Sequence, residues 1–260
     1  MQSTAQNREI GVVAVEGIIL RSEPIIEKLR FLESNSNVMG IVVRIDSPGG
    51  AVVPSQEIFA ELLRIGEELP IYSSISSVAA SGGYYVAIGT DKIFANPGSV
   101  TGSIGVMMQT YNVKNLMDKI GIFTETIKSG KNKDIGSAFR NMTEEERVLL
   151  KGVIDDTHAQ FVQAVAARRP FDIEKAKRLA DGAIFTGRQA LEAGLVDGLL
   201  SFRQTIEQLK EDFGLEEEVQ LLYPKEKSNL LFDGLDLVES ALKIKWESFR
   251  SGLFYLDRNM

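Results

Sequence analysis

Residues 10–20 (IGVVAVEGIIL) and 38–45 (VMGIVVRI) are two short runs of mainly apolar, β-branched residues. Between them, Ile25, Leu29 and Leu32 recur at helical spacing. An apolar strand, a helix and a second apolar strand predict a parallel βαβ unit whose sheet is covered on both faces. This stretch therefore predicts an α/β fold.

The same alternation continues along the chain. It predicts helices at 55–66 and 82–89, and strands at 71–76, 91–95, 104–109 and 124–128. After residue 133 helices dominate: Thr143 and Glu146 fit a capping box at the start of a long helix, and Gly194 fits the end of a shorter one. We predict one α/β domain with a helical C-terminal part over residues 1–225, followed by an extension over residues 226–260.

Composition excludes several classes of function. The 260 residues contain no cysteine, which rules out disulfides, thiolate metal sites and a cysteine nucleophile. A single histidine, His158, rules out a histidine-rich metal centre, and we expect no metal or cofactor. The net charge of −7, without a dense basic stripe, argues against nucleic acid as a partner. The first eight residues are polar and no long apolar run occurs, so we expect no targeting or membrane-spanning segment in the sequence as written.

Two glycine-rich stretches follow predicted strands. The first, DSPGG (46–50), lies between a strand and a helix, where paired glycines can expose backbone N–H groups. A tight βα turn is an equally good interpretation of this motif alone. The second, VAASGGYY (78–85), places Ser81 at the start of a predicted helix, although it does not match the G-x-S-x-G motif. Ser81 is either an ordinary N-cap residue or a nucleophile beside amide groups that receive an oxyanion.

A nucleophilic serine requires a base. His158 lies in the middle of a predicted helix, where a structural role is more common than a catalytic one. The stretch SGKNKDIG (129–136) instead offers lysines in a glycine-containing loop. A lysine can act as a base when burial disfavours its ammonium form, and Ser–Lys pairs are a known variant of the catalytic triad. On composition alone, a solvated basic loop remains the competing interpretation.

Four motifs in order carry a family resemblance. Together with the stretch FTGRQALEAGLVDGLL (185–200), they are DSPGG (46–50), SVAASGGYYVA (77–87), NPGSVTGSIGV (96–106) and SGKNKDIGS (129–137). The chain resembles bacterial signal peptide peptidase A in its half-length Gram-positive form. The resemblance implies a serine protease with the crotonase/Clp-protease-like superfold, built from repeated ββα/βαβ units.

The resemblance also assigns roles to particular residues. It implies that Ser81 is the nucleophile, that Lys133, rather than Lys131, is the general base, and that Ser103 orients this lysine. The backbone N–H groups of Gly50 and Gly82 are implied to form the oxyanion hole, and Gly49 is the neighbouring candidate for this role.

The resemblance further implies how the protein works in the cell. It implies digestion of remnant signal peptides at the extracytoplasmic face of the cell membrane, through an anchor outside this sequence. It implies a ring of about eight subunits in which Ser81 and Lys133 come from neighbouring protomers. For the tail, residues 229–260, we expect docking onto the core or a neighbour, with membrane contact or insertion into a peptide groove as alternatives.

Three other functions fit parts of the sequence. A Clp-type peptidase would require a histidine soon after the serine, whereas His158 is distant in sequence. A crotonase-type acyl-CoA enzyme would use the backbone N–H groups without Ser81, and labelling by a serine-reactive probe would distinguish it. A non-catalytic scaffold would show neither labelling nor turnover.

Overall fold

A mixed nine-stranded sheet organises the chain. The structure is a computed structural model and describes residues 8–215, 219–225 and 254–256. The strands are β1 (Glu9–Ile19), β2 (Val38–Ala51), β3 (Ile71–Ala80), β4 (Lys92–Ala95), β5 (Val100–Gly102), β6 (Ile184–Thr186), β7 (Gly198–Leu199), β8 (Gln220–Leu222) and β9 (Phe254–Leu256). The helices are α1 (Glu23–Glu33), α2 (Val52–Gly66), α3 (Gly82–Ala87), α4 (Lys114–Lys119), α5 (Glu144–Arg168), α6 (Ile173–Leu179), α7 (Gly187–Ala193) and α8 (Phe202–Asp212). The βαβ alternation confirms the predicted α/β fold.

The sheet divides at β3. Its main order is β6-β5-β3-β2-β1-β8, and β1, β2 and β3 run parallel. The first half of β3 pairs with β4 and its last three residues pair with β5. Strands β4 and β5 therefore share one edge of β3. The part of this edge that pairs with β5 is the part that leads into α3. Strand β9 pairs antiparallel with the end of β2.

Apolar side chains bury both faces of the sheet, as expected for parallel strands between helices. One cluster joins the strands to α1, α2, α3 and α5, and includes Ile45, Leu62, Tyr84 and Phe161. A smaller cluster on the other face lies under α8. Helices therefore pack on both faces of the sheet and hold β2 and β3 in place.

A network of charged residues joins α1 to α2. The Arg30 Nε atom lies 2.7 Å from Glu61 Oε1, and Arg64 Nη2 lies 2.9 Å from the same oxygen. Arg64 also pairs with Glu33. Hydrogen bonds from Arg64 and then Arg30 lower the pKa of Glu61 to about 2. The largely buried carboxylate of Glu61 is therefore compensated by two guanidinium groups.

Three local predictions differ from the structure. Residues 104–109 and 124–128 form no strand. Gly102 and Ser103 both have positive φ, at 80° and 47°, and these angles end β5 before residue 104. Residues 124–128 are exposed and have no partner strand in the described part of the chain. The DSPGG motif is also not a turn, because β2 extends through it to Ala51.

The predicted helix boundaries are confirmed at two sites. Thr143 and Glu146 form a capping box at the start of α5, and Gly194 ends α7 with a φ of 82°. No helix in the described residues is long and apolar enough to cross a bilayer. Apart from 254–256, the predicted extension at 226–260 and its tail at 229–260 lie outside the described residues, so the domain boundary stays a prediction.

Candidate active site

Ser81 joins β3 to α3 in a backbone conformation that is rare for a residue with a side chain. Its φ is 52° and its ψ is −115°. Its N–H donates to the carbonyl oxygen of Gly102 at 2.8 Å, which fixes it beside the end of β5. Although Ser81 occupies the N-cap position of α3, its hydroxyl makes no capping hydrogen bond. Ser81 is therefore an N-cap residue by position, without the capping hydrogen bond that an ordinary N-cap serine makes.

The surrounding structure maintains this strained conformation. Every residue of α3 is buried, and the hydroxyl of Tyr84 donates to the carbonyl oxygen of Leu195 at 2.8 Å. Burial raises the pKa of Tyr84, so this phenol remains a donor. Strained residues that persist at the end of a rigid element occur preferentially at active sites. Ser81 therefore lies on a sharp strand-to-helix turn, a position that holds the nucleophile in α/β-hydrolases.

The two glycines predicted to bind the oxyanion lie on adjoining elements. Gly82 is the first residue of α3, where backbone N–H groups lack partners within the helix. Gly50 is near the end of β2, and a Cβ added there would lie 2.1 Å from the carbonyl oxygen of Ile19. Position 50 has no room for a side chain, so no side chain of residue 50 covers its backbone. The Gly49 N–H donates to Ser47 Oγ at 3.1 Å, which makes Gly49 the weaker candidate.

The end of β2 accepts an additional strand. Residues 254–256 pair antiparallel with 49–51, with Gly50 opposite Tyr255. This pairing occurs beyond the last β2–β3 pair, Ser47 with Ala79, where β3 has turned away towards Ser81. The edge of β2 beside the candidate nucleophile can therefore bind an extended chain through its backbone.

Ser103 lies close to Ser81 through the same β5 connection. It follows Gly102, whose carbonyl oxygen accepts the Ser81 N–H, and its own N–H donates to Ala183 at 2.8 Å. Ser103 is buried and has a φ of 47°. Two non-glycine residues of the described chain have positive φ, and these are Ser81 and Ser103. Backbone strain is thus concentrated at two of the predicted site residues.

Lys133 lies on a separate, exposed loop. Within the described residues it forms no ion pair and no hydrogen bond to Ser81. The two other lysines of this loop are paired, Lys128 with Asp134 at 2.5 Å and Lys131 with Glu145 at 2.7 Å. The hydrogen bond that Lys131 donates to Glu145 raises the pKa of Lys131, which favours its charged form. This contrast agrees with the choice of Lys133 over Lys131 as the candidate base.

Charged side chains hold the loop of Lys133 against the start of α5. Arg140 donates to both carboxylate oxygens of Asp134 at 2.8 Å, and it also pairs with Glu146. These bonds from Arg140 lower the pKa of Asp134, and Arg140 together with the Thr143 backbone lowers the pKa of Glu146 to about 2. Asp134 directly follows Lys133, so the network fixes the backbone next to the lysine.

His158 is not joined to this site. It lies on α5, and its Nε2 atom is buried without a hydrogen-bond partner in the described part of the chain. Between residues 8 and 225, excluding 216–218, no group of three or more acidic or histidine side chains could hold a metal ion.

Comparison with known proteins identifies the family of this chain. Residues 65–216 match peptidase family S49. The chain belongs to peptidase family S49. It is 43% identical over 198 residues to "Putative protease slr0021" of a Synechocystis strain, covering 75% of this chain and 71% of the relative. It is 33% identical to "Putative signal peptide peptidase SppA" of Enterococcus faecium, covering 86% of this chain and 69% of that protein.

A more distant relative indicates the class of protease. The chain is 32% identical to "Serine protease SPPA, chloroplastic" of Arabidopsis thaliana, over 91% of this chain and 35% of the relative. The S49 membership and these relatives support a serine protease, and they confirm the resemblance and the Clp/crotonase-like fold predicted from the four motifs.

Some features of the site were not predicted from the sequence. The hydrogen bonds of Ser47 and Arg140 are tertiary contacts that leave no local pattern in the sequence. The strand-accepting edge of β2 is not evident from the sequence, because DSPGG fits a tight βα turn equally well. The long run of β-branched residues before DSPGG was the available signal that β2 could continue.

Proposed function

We propose that this S49 protease uses Ser81 as its nucleophile and Lys133 as its general base. The observation that carries the proposal is the conformation of Ser81. Its φ of 52° is maintained by packing, while its hydroxyl is not used to cap α3. A buried serine in a strained position, with its hydroxyl left out of the local helix cap, has the properties of a preorganised nucleophile.

We propose that Lys133 acts on the Ser81 of a neighbouring protomer. Lys133 is exposed and makes no bond to Ser81 among the described residues. The segment before it carries unusually exposed apolar side chains, with Phe123 87% and Ile127 94% accessible. Exposed apolar clusters of this kind mark association surfaces. Packing this surface against another copy would shelter the amine from water and favour its neutral form, and a ring of about eight subunits follows from the family resemblance.

The proposed reaction proceeds through an acyl-enzyme. The neutral Lys133 amine takes the hydroxyl proton of Ser81 as Oγ attacks the peptide carbonyl carbon. The backbone N–H groups of Gly50 and Gly82 stabilise the resulting oxyanion. The Lys133 ammonium then gives its proton to the leaving amine as the C–N bond breaks. Water, deprotonated by the same amine, hydrolyses the ester and regenerates Ser81. Ser103 orients the lysine.

We propose extended peptides as substrates, bound as an added strand at residues 49–51. In this conformation the substrate backbone supplies the affinity, and neighbouring pockets select side chains. The name of the Enterococcus relative favours signal peptides left after secretion as the natural substrates. The proposed location is the extracytoplasmic face of the cell membrane.

A peptide-digestion assay with three variants tests the catalytic assignment. We expect Ser81→Ala and Lys133→Ala each to abolish turnover of a synthetic signal peptide while remaining folded. Lys131→Ala is the matched control, because it removes a lysine of the same loop that is already paired with Glu145. Full activity in either of the first two variants would refute the assigned roles.

Mixing the two inactive variants tests the shared site. Hybrid assemblies of Ser81→Ala and Lys133→Ala subunits contain interfaces at which an intact Ser81 meets an intact Lys133. We therefore expect activity to return on mixing after subunit exchange. If each variant is inactive and the mixture stays inactive after verified exchange, the two residues do not act across an interface.

A further inference from the structure

Ser47 lies in an irregular part of β2, two residues before the glycine pair. It is fully buried. Its hydroxyl donates to the carbonyl oxygen of Gly17 at 2.6 Å and accepts from the N–H of Gly49 at 3.1 Å. One side chain thus joins β1 to the segment that carries Gly50.

The irregularity is a β-bulge, which explains why a hydroxyl is needed there. Glu16 pairs with Asp46 and Ile18 pairs with Gly49, so β2 contains one more residue than β1 over this interval. Gly17, with a φ of 66°, lies within the interval. Backbone groups in a bulge lose their regular ladder partners, and buried ones must be satisfied in another way. The hydroxyl of Ser47 satisfies one carbonyl and one N–H.

Ser47 also contacts the helix that follows the nucleophile. It pairs with Ala79 of β3, two residues before Ser81. A Cβ added to Gly83 would lie 2.6 Å from the Ser47 carbonyl oxygen, so the first turn of α3 packs directly on this backbone. Ser47 therefore lies on the strand that carries Gly50 and contacts the helix that carries Gly82, the two proposed oxyanion donors.

We propose that Ser47 is a positioning residue for the oxyanion hole. By accepting the Gly49 N–H, its hydroxyl turns that peptide away from the reacting carbonyl and fixes the orientation of the next N–H, that of Gly50. The donation to Gly17 keeps the bulge in register with β1. This inference rests on the proposed function, because it assigns Ser47 a role in the same reaction.

The effect of Ser47 is predicted to be confined to the transition state. A Ser47→Ala substitution leaves the Gly49 N–H and the Gly17 carbonyl without their partner. The peptide between Pro48 and Gly49 can then rotate, and the Gly50 N–H that follows it loses its fixed direction. Loss of an oxyanion donor lowers kcat by about 100- to 1,000-fold, and misalignment of one lowers it by about tenfold or more. The other backbone groups of residues 49–51 still pair with the substrate strand, so KM is expected to change much less than kcat.

The test compares kcat, KM and two inhibitors in Ser47→Ala and the native enzyme. We expect kcat to fall at least about tenfold, with KM within about threefold. Affinity for a peptide aldehyde, which forms a tetrahedral adduct with Ser81, should fall in parallel with kcat. Affinity for the corresponding unreactive peptide amide should stay unchanged. The matched control is Thr205→Val on α8, which also loses a buried hydroxyl bond to a backbone carbonyl and should retain full kcat.

Two outcomes overturn the inference. One is an unchanged kcat in Ser47→Ala. The other is an equal loss of affinity for the aldehyde and the amide, which would indicate general disruption of the binding edge. If Ser47→Ala does not fold, Ser47→Cys is the second variant, because its thiol is a weaker hydrogen-bonding group. We expect Ser47→Cys to lower kcat and aldehyde affinity by a smaller factor, with KM and amide affinity unchanged. A Ser47→Cys enzyme with native kcat would equally reject the role. An inactive native enzyme, or an active Ser81→Ala, would instead reject the proposed function itself.

Discussion

The strain at Ser81 predicts an inversion of the usual ranking of alanine and glycine. At most positions alanine is more stable than glycine by about 0.5–1 kcal/mol, because glycine loses more backbone entropy on folding. Ser81 has a φ of 52° and a ψ of −115°, which lies outside the left-handed helical region as well as the common ones. Alanine retains this strain, whereas glycine adopts the conformation freely.

The magnitude follows from three contributions. The strain released by glycine is about 2–3 kcal/mol. Against it stand about 0.5–1 kcal/mol of backbone entropy and about 0.8 kcal/mol for the buried Cβ. The net expectation is that Ser81→Gly is more stable than Ser81→Ala by about 1 kcal/mol. Both variants lack the nucleophile and should be inactive.

Urea denaturation of the two variants at one protein concentration measures this difference. Ser34 provides the matched control, because it is exposed and has an ordinary φ of −73°. There the alanine variant should be the more stable one. A Ser81→Ala protein that is more stable than Ser81→Gly would show that the conformation is not strained, and it would remove the main support for Ser81 as a preorganised nucleophile.

Three further perturbations test other parts of the structure. The pKa of Glu61 falls from 4.5 to about 2, so its ion pairs stabilise the fold above pH about 5 and this contribution is lost as the pH falls to about 2. The full shift corresponds to about 3 kcal/mol, and the half-exposed guanidinium groups reduce this to about 1–2 kcal/mol. Glu61→Gln should therefore flatten the acid side of a stability profile, and an unchanged profile would reject this coupling. Arg140→Leu removes the bonds that hold the loop of Lys133, the proposed base. We therefore expect about tenfold faster amide hydrogen exchange over residues 129–137 and reduced turnover. Unchanged exchange would contradict the role of the network. Gly83→Ala places a Cβ 2.6 Å from the Ser47 carbonyl oxygen, and we expect a loss of about 1–3 kcal/mol in urea denaturation together with reduced turnover. A Gly83→Ala protein with native stability would show that α3 can move away from β2.

The sequence was most informative where local pattern and tertiary structure agree. The apolar runs of β1 and β2 and the helical spacing between them predict the βαβ core, because burial on both faces leaves a continuous hydrophobic signal. The capping box of Thr143 predicts the start of α5 for a similarly local reason. The motif around Ser81 predicts the position of the site, although its strain is visible only in the backbone angles.

The sequence was least informative where a residue acts through distant contacts. Residues 124–128 contain three β-branched residues, but they have no partner strand in the described chain and Ile127 stays exposed. Composition cannot distinguish an apolar side chain that is buried in its own domain from one that is exposed on the surface of the domain. The bulge at Ser47 cannot be predicted from the sequence of β2 alone, because the register of β2 depends on its pairing with β1.

The antiparallel pairing of residues 254–256 with 49–51 also defines the chain direction in which a peptide can bind at this edge. A chain bound at this edge runs from residue 51 towards residue 49, and the opposite orientation would present a different hydrogen-bonding pattern. Any peptide that replaced residues 254–256 in this arrangement would enter with one polarity. Its amino-terminal portion would lie along the start of α2 and its carboxyl-terminal portion would continue past Gly49. Polarity of this kind would distinguish the acyl half of a cleaved peptide from its amine half before any side chain is recognised.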